Sequence, residues 1–470
     1  MRFQWIAGVT LAAACLGPVA QPCGARDFNE QRLQPWEEDP RYWQYGGEPV
    51  LLLGGSGQDN LFNHPGLPPD GLEAHLDLLV SVGGNYVRNT MSSRDEGNLW
   101  PHHRNEDGFY DLTRFDEEYW QRLRSFLALT AEREVFVQIE IFDRFDYARE
   151  PWDANPFNPR NNINYSAEEI GLPEEIRTHP GQRENPFFRT VPELEDNAEL
   201  LSYQEAFAAK LLSITLEYDH VLYCISNETS ESEHWSSHWA EFVRRHAREA
   251  GVGVEVTEMW DSWDLAHPMH RHTFDNPELY SFVDASQNNH QVGQRHWDNL
   301  QAARELIAEP PRPLNNVKIY GGVPHGGGLL EGTHKLWRNV LGGVAAARFH
   351  RPPAGPGLGE EAQAHLRAMR LLTTCFDTFA AEPANHLLSE RTENEAYCAA
   401  NPGRQYAVYF TDGGSVLLNP EGPGPFRVRW LEIENGGWTD EETVVGGQPL
   451  RLSPPGEGQW VVLVEHEGLN

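Results

Sequence analysis

The chain of 470 residues is poor in cysteine, poor in basic residues and poor in long apolar runs, and each scarcity removes a class of protein. Of its five cysteines, two precede residue 25, and the remaining Cys224, Cys375 and Cys398 are too few and too scattered for a metal site. Cys224 sits in an apolar stretch and reads as a buried thiol, while Cys375 and Cys398 could pair if the chain is exported. Lys and Arg total 37 against 70 Asp and Glu, for a net charge of -33. Such a field repels phosphate, which argues against a nucleic-acid partner. Past the N-terminus no apolar run is long enough to span a bilayer, so no transmembrane segment is expected. A Gly-rich phosphate fingerprint is also lacking. Gly54-Gly-Ser-Gly57 has the wrong spacing and leads into Gln58-Asp59-Asn60 instead of a helix. No cofactor motif, solenoid repeat or nucleophile elbow is present.

What is present begins with a leader. Met1 to Leu16 carries one positive charge, a short apolar run and then small residues, as a secretory signal peptide over residues 1–25 does, with Val19-Ala20 or Gly24-Ala25 as cleavage ends. A lipoprotein anchor at Cys15 is the rival, and Ala12-Ala-Ala-Cys15 matches a lipobox only weakly. The mature protein is therefore expected to be secreted or periplasmic.

Beyond the leader, 21 Phe, 15 Trp and 15 Tyr supply a large core, and the length calls for two domains. Strand-like runs occur at Pro49–Leu53, Tyr86–Arg88, Val135–Ile139, Val221–Ile225, Val252–Val256, Tyr280–Asp284, Val317–Tyr320 and Ala345–Phe349. Helical patterns fall between most of them, at 71–82, 116–132, 202–217, 233–250, 295–308, 333–341 and 360–374. Alternation of this kind predicts an α/β fold, a (β/α)8 TIM barrel over 26–380. After about residue 381 the helical period vanishes. Gln405–Phe410, Ser415–Leu418, Phe426–Trp430 and Gln459–Val464 alternate with turns, which predicts a small antiparallel β-sandwich over 381–470. The connection from Asp143 to Leu200 is far longer than usual and is expected to wall a cleft on the barrel's C-terminal face.

In a barrel, chemistry belongs at the C-terminal ends of the strands. Those positions hold Asp59, Arg88, Asn89, Glu140, Asp143, Asn227, Glu228, Glu258, Trp260, Asp261, His290, Lys318, Tyr320, Arg348, His350 and Arg351. Carboxylates, amides and aromatic rings are the mixture that binds sugars. The His267–His272 and His102-His103 clusters lack ligand spacing on a helix and read as exposed loop histidines, so no metal is expected.

Three stretches carry a family resemblance: Gly84-Asn-Tyr-Val-Arg88, Ser226-Asn-Glu228 and the sandwich ending in Trp460-Val-Val-Leu-Val464. The chain resembles the retaining (β/α)8 glycoside hydrolases of the cellulase-like clan, and within it exported bacterial barrels whose C-terminal sandwich is named for collagen binding. No residue here supports collagen as a ligand. The resemblance implies a glycosidase acting on a poly- or oligosaccharide, with Glu228 as general acid/base and Asn227 on the sugar 2-hydroxyl. An acid role needs a raised carboxyl pKa, as shielding by rings such as Trp235 would provide. The competing reading of Asn227-Glu228 is a cap on the following helix.

The departure from the clan lies in Arg312-Pro-Leu-Asn-Asn-Val-Lys-Ile-Tyr-Gly321, where Lys318 occupies the position of the nucleophilic glutamate. Three outcomes stay open. In the first, another carboxylate stands in, Glu258 before Glu140, Asp143, Asp284 or Glu331, at about 6.5–9.5 Å from Glu228 for inversion or about 5–5.5 Å for retention. Alternatively Lys318, Arg88, Arg348, His350 and Arg351 form a cationic subsite for a uronate or sulfated sugar, unless they pair with barrel carboxylates. The third outcome is a carbohydrate-binding barrel without hydrolysis. The substrate-binding set expected is Asp59, Arg88, Asn89, Asn227, Trp260, His290, Lys318, Tyr320, Arg348 and His350.

Overall fold

The computed structural model describes residues 31–64, 67, 71–181, 185–322 and 326–468. The expected signal peptide, with Cys15 and both cleavage ends, lies outside the described residues.

Eight βα units follow one another. The strands are β1 (Leu52–Gly55), β2 (Tyr86–Thr90), β3 (Phe136–Asp143), β4 (Val221–Asn227), β5 (Val256–Thr257), β6 (Val283–Asp284), β7 (Leu314–Ile319) and β8 (Ala346–Phe349). The helices are α1 (Leu72–Ser81), α2 (Glu117–Glu132), α3 (Ala198–Thr215), α4 (Glu233–Glu249), α5 (Pro268–Phe274), α6 (Gly293–Leu306), α7 (Leu329–Leu341) and α8 (Glu360–Thr373). All the strands pair in parallel in the order β5-β4-β3-β2-β1-β8-β7-β6. The remaining gap is bridged by Ser281, whose N–H donates to the Val256 carbonyl (3.0 Å) and whose hydroxyl accepts from the Val256 N–H (3.0 Å). Closeness sets sequence at one point: a Cβ on Gly54 would lie 1.8 Å from the Tyr86 carbonyl oxygen, so the β1–β2 approach needs glycine.

Local chemistry explains the helices. In α4, Trp235, Trp239, Phe242 and Val243 recur at helical spacing and are buried, Ser232 caps the start by accepting from the His234 N–H, and His246 and Arg248 favour the negative C-terminal end. That cap also settles one alternative: Ser232 is the N-cap, so Asn227 and Glu228 are not. The unit missed from the sequence is α5, seven residues with Pro268 in the first turn and His267 as its cap. Contrary to expectation the His267–His272 cluster is not an exposed loop. His270 is buried, as is His102 between the rings of Phe115 and Phe157. Among the described residues no group of three or more His, Cys, Asp or Glu is placed to hold a metal ion. Nor, among them, is any helix long and apolar enough to cross a membrane.

A three-stranded antiparallel sheet (Gln34–Pro35, Trp43–Tyr45, Glu48–Val50) closes the N-terminal end of the barrel. Its Trp43 is fully buried, donates from Nε1 to Asn315 Oδ1 (2.9 Å) and meets Phe282 edge-on at 5.2 Å. Leu52, Tyr86, Phe136, Leu222, Phe282 and Ala346 pack with it, so the floor is apolar.

The C-terminal part is a sandwich of a seven-stranded and a three-stranded antiparallel sheet. Its long strands are β9 (Ala396–Asn401), β10 (Gln405–Phe410), β11 (Phe426–Glu432) and β12 (Trp460–His466). Along β9 and β10 alternate residues face opposite ways. Cys398, Val408 and Phe410 enter the sandwich core, whereas Tyr397, Ala407 and Tyr409 join the barrel's core cluster. Tyr409 lies flat on Trp337 of α7 (5.0 Å, 9°) and shares a 2.6 Å hydrogen bond with His334 Nδ1. This alternation explains why Cys375 and Cys398 do not pair: Cys398 points into the sandwich, Cys375 follows α8 on the barrel side, and both are free.

Candidate active site at the mouth of the barrel

Glu228 is the first residue past β4 and adopts a left-handed backbone conformation, φ +56°. A non-glycine residue there carries strain of about 1–3 kcal/mol, which persists only where the surroundings fix it. They do so at the next residue, since Thr229 N–H donates to the Met259 carbonyl (2.8 Å) and its own carbonyl accepts from the Asp261 N–H (2.8 Å).

The carboxylate of Glu228 meets two cations and a phenol. Lys318 Nζ donates to Oε1 (2.6 Å) and also to Asn227 Oδ1, and Tyr320 donates its hydroxyl proton to the same Oε1 (2.8 Å). Arg144 Nη2 stands 3.6 Å from Oε2 and bonds Asp261 Oδ2 at 2.6 Å. Burial alone would raise this carboxyl, but the charges of Lys318 and Arg144, with the hydrogen bonds from Lys318 and Tyr320, hold it well below its usual range. The expected raised value is therefore reversed, and Glu228 is ionised. Trp235 gives it no shield, being packed behind the strands against Phe142, Phe188 and Trp239.

The cations expected to form an anion subsite are largely matched by protein acceptors. Arg88, fully buried, bonds Asp59 Oδ1 and Glu140 Oε1, each at 2.6 Å. Arg94 and Arg351 also reach Asp59, and Arg94 reaches Asp143. Burial acts to raise Asp59, and Arg88, Arg351 and Arg94 outweigh it, leaving the carboxyl well below its usual range. Arg348 lies inside the barrel, donating to the Val317 carbonyl (2.8 Å) and to Ser56 Oγ. His350 packs edge-on against Tyr320 (5.0 Å, 76°), and burial keeps its imidazole well below the usual histidine range, hence neutral.

Glu258, the expected second carboxylate, does not face Glu228 across the cleft. It is buried without exposure, and its Oε1 accepts from the N–H groups of Ser226 (2.8 Å) and Met259 (2.9 Å). Desolvation pushes it up to about 8, against the partial offset of those bonds and Ser236. The substitutes fare no better: Glu140 holds Arg88, Asp143 holds Arg94, Glu331 holds Arg338 on α7, and Asp284 is buried and raised to about 6 by desolvation. Two further expected contacts turn away from the cleft. Asn89 is buried with its amide on Leu61 N–H (2.7 Å) and the Thr90 carbonyl (2.9 Å), and Trp260 is buried with Nε1 on Thr273 Oγ1 (2.6 Å).

What the strand ends do enclose is a cleft of about 750 Å³, lined by Glu228, Tyr320 and His290 together with Arg144, Phe145, His179, Asp261, Trp263 and Gln287. Arg144, Phe145 and His179 come from the long connection after β3, which walls the cleft as its length suggests. Arg144 carried no motif, although it directly follows the β3 strand end. Trp263 and Gln287 were passed over beside the more conspicuous Trp260 and His290.

No protein-family model matches this chain, and no curated protein matches it. Solved structures do. A glycoside hydrolase family 5 protein from Bacteroides vulgatus superposes with a TM-score of 0.64 at 13% identity, covering 94% of this chain and 95% of its own. A second structure, described as a glycoside hydrolase, gives 0.63 at 14% identity over 94% and 98%. A gamma-CGTase from an alkalophilic Bacillus clarkii gives 0.57 at 11% identity over 93% and 69%. At such identities likeness speaks for architecture and not for reaction, and the architecture, barrel and sandwich together, is that of the glycoside hydrolase family 5 protein.

Proposed function

We propose that the protein is an exported glycoside hydrolase that binds a poly- or oligosaccharide in the cleft above β4 and β7, with Glu228 at the scissile bond. The observation that supports this most directly is Glu228 itself: a carboxylate on a strained strand end, at the mouth of a barrel, lined by tyrosine, amide and exposed indole. Its ionised state suits a base or nucleophile better than an acid. Protons for a leaving oxygen are then nearest on Lys318 and Tyr320. A neutral sugar fits better than a uronate, because Arg88, Arg94 and Arg351 already hold Asp59, and Arg348 holds backbone and Ser56. No metal or cofactor enters this reading.

The Lys318–Glu228 pair favours a second reading. Where the resembled clan places a second carboxylate, this chain places a cation 2.6 Å from the first, an arrangement that suits a barrel which holds sugar without cleaving it. Activity on a panel of neutral and acidic oligosaccharides separates the two. Hydrolysis lost at least about 100-fold in Glu228→Gln supports the enzyme. Full activity in that variant removes Glu228 from the chemistry, and a wild type that binds sugars but cleaves none belongs to the second reading.

A further inference from the structure

Two cleft residues outside the expected set have unmet chemistry. Trp263, in the loop after β5, is 52% exposed although tryptophan strongly favours burial. It is nonetheless held in place. One indole face lies on the His290 imidazole (4.2 Å, 16°), the Trp263 carbonyl accepts from Gln291 Nε2 (3.0 Å), and His290 packs 4.5 Å from Tyr320, which bonds Glu228. With one face covered, the exposure belongs to the other face and the ring edge. A fixed, bare aromatic face beside a reactive carboxylate is what the C–H face of a pyranose stacks on.

Gln287 supplies the polar half. It lies in the short turn of Ser286–His290 after β6 and is only 1% exposed, and its Oε1 and Nε2 have no hydrogen-bond partner among the described residues. Its neighbours are better matched: Asn288 Nδ2 donates to the His296 carbonyl (2.8 Å), although its Oδ1 has no partner among the described residues, and Asn289 Nδ2 donates to the Ser286 carbonyl (3.0 Å). An amide left with a free donor and a free acceptor is complementary to two adjacent hydroxyls, one donating to Oε1 and the next accepting from Nε2.

We infer that Trp263 and Gln287 form a sugar subsite next to Glu228, in which the indole carries the ring of a neutral pyranose and the carboxamide reads a vicinal diol. The inference rests on the carbohydrate reading proposed above and names the part of the cleft that would select the sugar. Recognition of this kind discriminates strongly, since an analogue lacking the hydroxyls leaves the buried amide unmatched.

Titration calorimetry on the full chain tests it, using neutral gluco-, manno-, xylo- and galacto-tetraoses and, for the one bound most tightly, its O-methylated form. Trp263→Ala is expected to weaken binding about tenfold and to abolish the tryptophan fluorescence change on sugar addition. Gln287→Leu is expected to weaken the parent sugar about tenfold while leaving the methylated sugar unchanged. Gln287→Met serves the same comparison if the leucine variant fails to fold by circular dichroism. Wild-type affinity for the parent sugar in both variants overturns the subsite and leaves the carbohydrate reading standing. A wild type that binds no tetraose overturns both.

Discussion

The lumen of this barrel holds two environments stacked on the same strands. β2 carries Tyr86 in the apolar floor and Arg88 in the mouth, β3 carries Phe136 and then Glu140, and β4 carries Leu222 and leads directly into Glu228. In the floor most side chains are stabilised by contact area, with few polar contacts such as the Trp43–Asn315 bond. In the mouth most charges are held by opposite charges, Asp59 by Arg88, Arg94 and Arg351, so removing one disturbs the others. A charge in a desolvated site is tolerable only when paired and hydrogen-bonded. The mouth is therefore an interlocked set, and its ordering of Glu228 comes from neighbours instead of packing.

The largest effect should follow from opening that set at its centre. Arg88→Met removes the partner shared by Asp59 and Glu140, all three side chains being 4% exposed or less. The expected loss is about 3–5 kcal/mol in a urea titration, most of it the cost of leaving Glu140 buried without its cation, since Asp59 keeps Arg94 and Arg351. Adding Glu140→Gln to that variant should recover part of the loss. Equal stability of the single and double variants would mean that the mouth, like the floor, depends on area.

How much of this was legible depended on the same distinction. The strands were readable, because β-branched and aromatic runs at Tyr86, Phe136 and Val221 announce buried strands whatever they pack against. So was the placing of Lys318 on β7. The state of Glu228 was not. Whether burial or a cation decides a carboxyl's pKa depends on distances of a few ångström between residues 90 positions apart, and Arg144 sits in a connection with no pattern to fix its course. For the same reason Cys375 and Cys398 could not be judged from spacing, since the direction of Cys398 follows from the register of β9. The α5 helix escaped because seven residues hold too few apolar positions to show a period.

A middle-sized effect should come from Lys318→Met, which leaves Glu228 with Arg144 and Tyr320. In the wild type the Glu228 carboxyl lies below its ordinary value of 4.5 when folded. Its contribution to stability is thus present above that ordinary value and fades as pH falls through the folded value. With Lys318 gone the carboxyl rises, and the fading begins at higher pH. The variant should be less stable by about 1–3 kcal/mol at pH 7, with the gap narrowing towards pH 3. A gap of constant size from pH 7 to pH 3, measured by urea midpoints, would mean that Lys318 packs there without setting the charge of Glu228.

The floor supplies the smallest effect and the control for the other two. Phe282 touches Trp43 and the apolar residues around it, and the ionisable groups in that cluster, the phenols of Tyr42, Tyr45 and Tyr86 and the Cys224 thiol, are all raised by burial further from neutrality. Phe282→Leu should therefore cost about 1 kcal/mol, a loss of contact and a small cavity. Because no proton is taken up or released, that cost should be the same at pH 4 and pH 7, and the same in 0.05 M and 0.5 M salt. Screening and protonation act on the mouth, and the floor has nothing for them to act on. If the Phe282→Leu penalty followed pH as the Lys318→Met penalty does, the two halves of the lumen would be coupled through the barrel wall. The ionised state of Glu228 would then depend on how the floor packs as well as on Lys318 and Arg144.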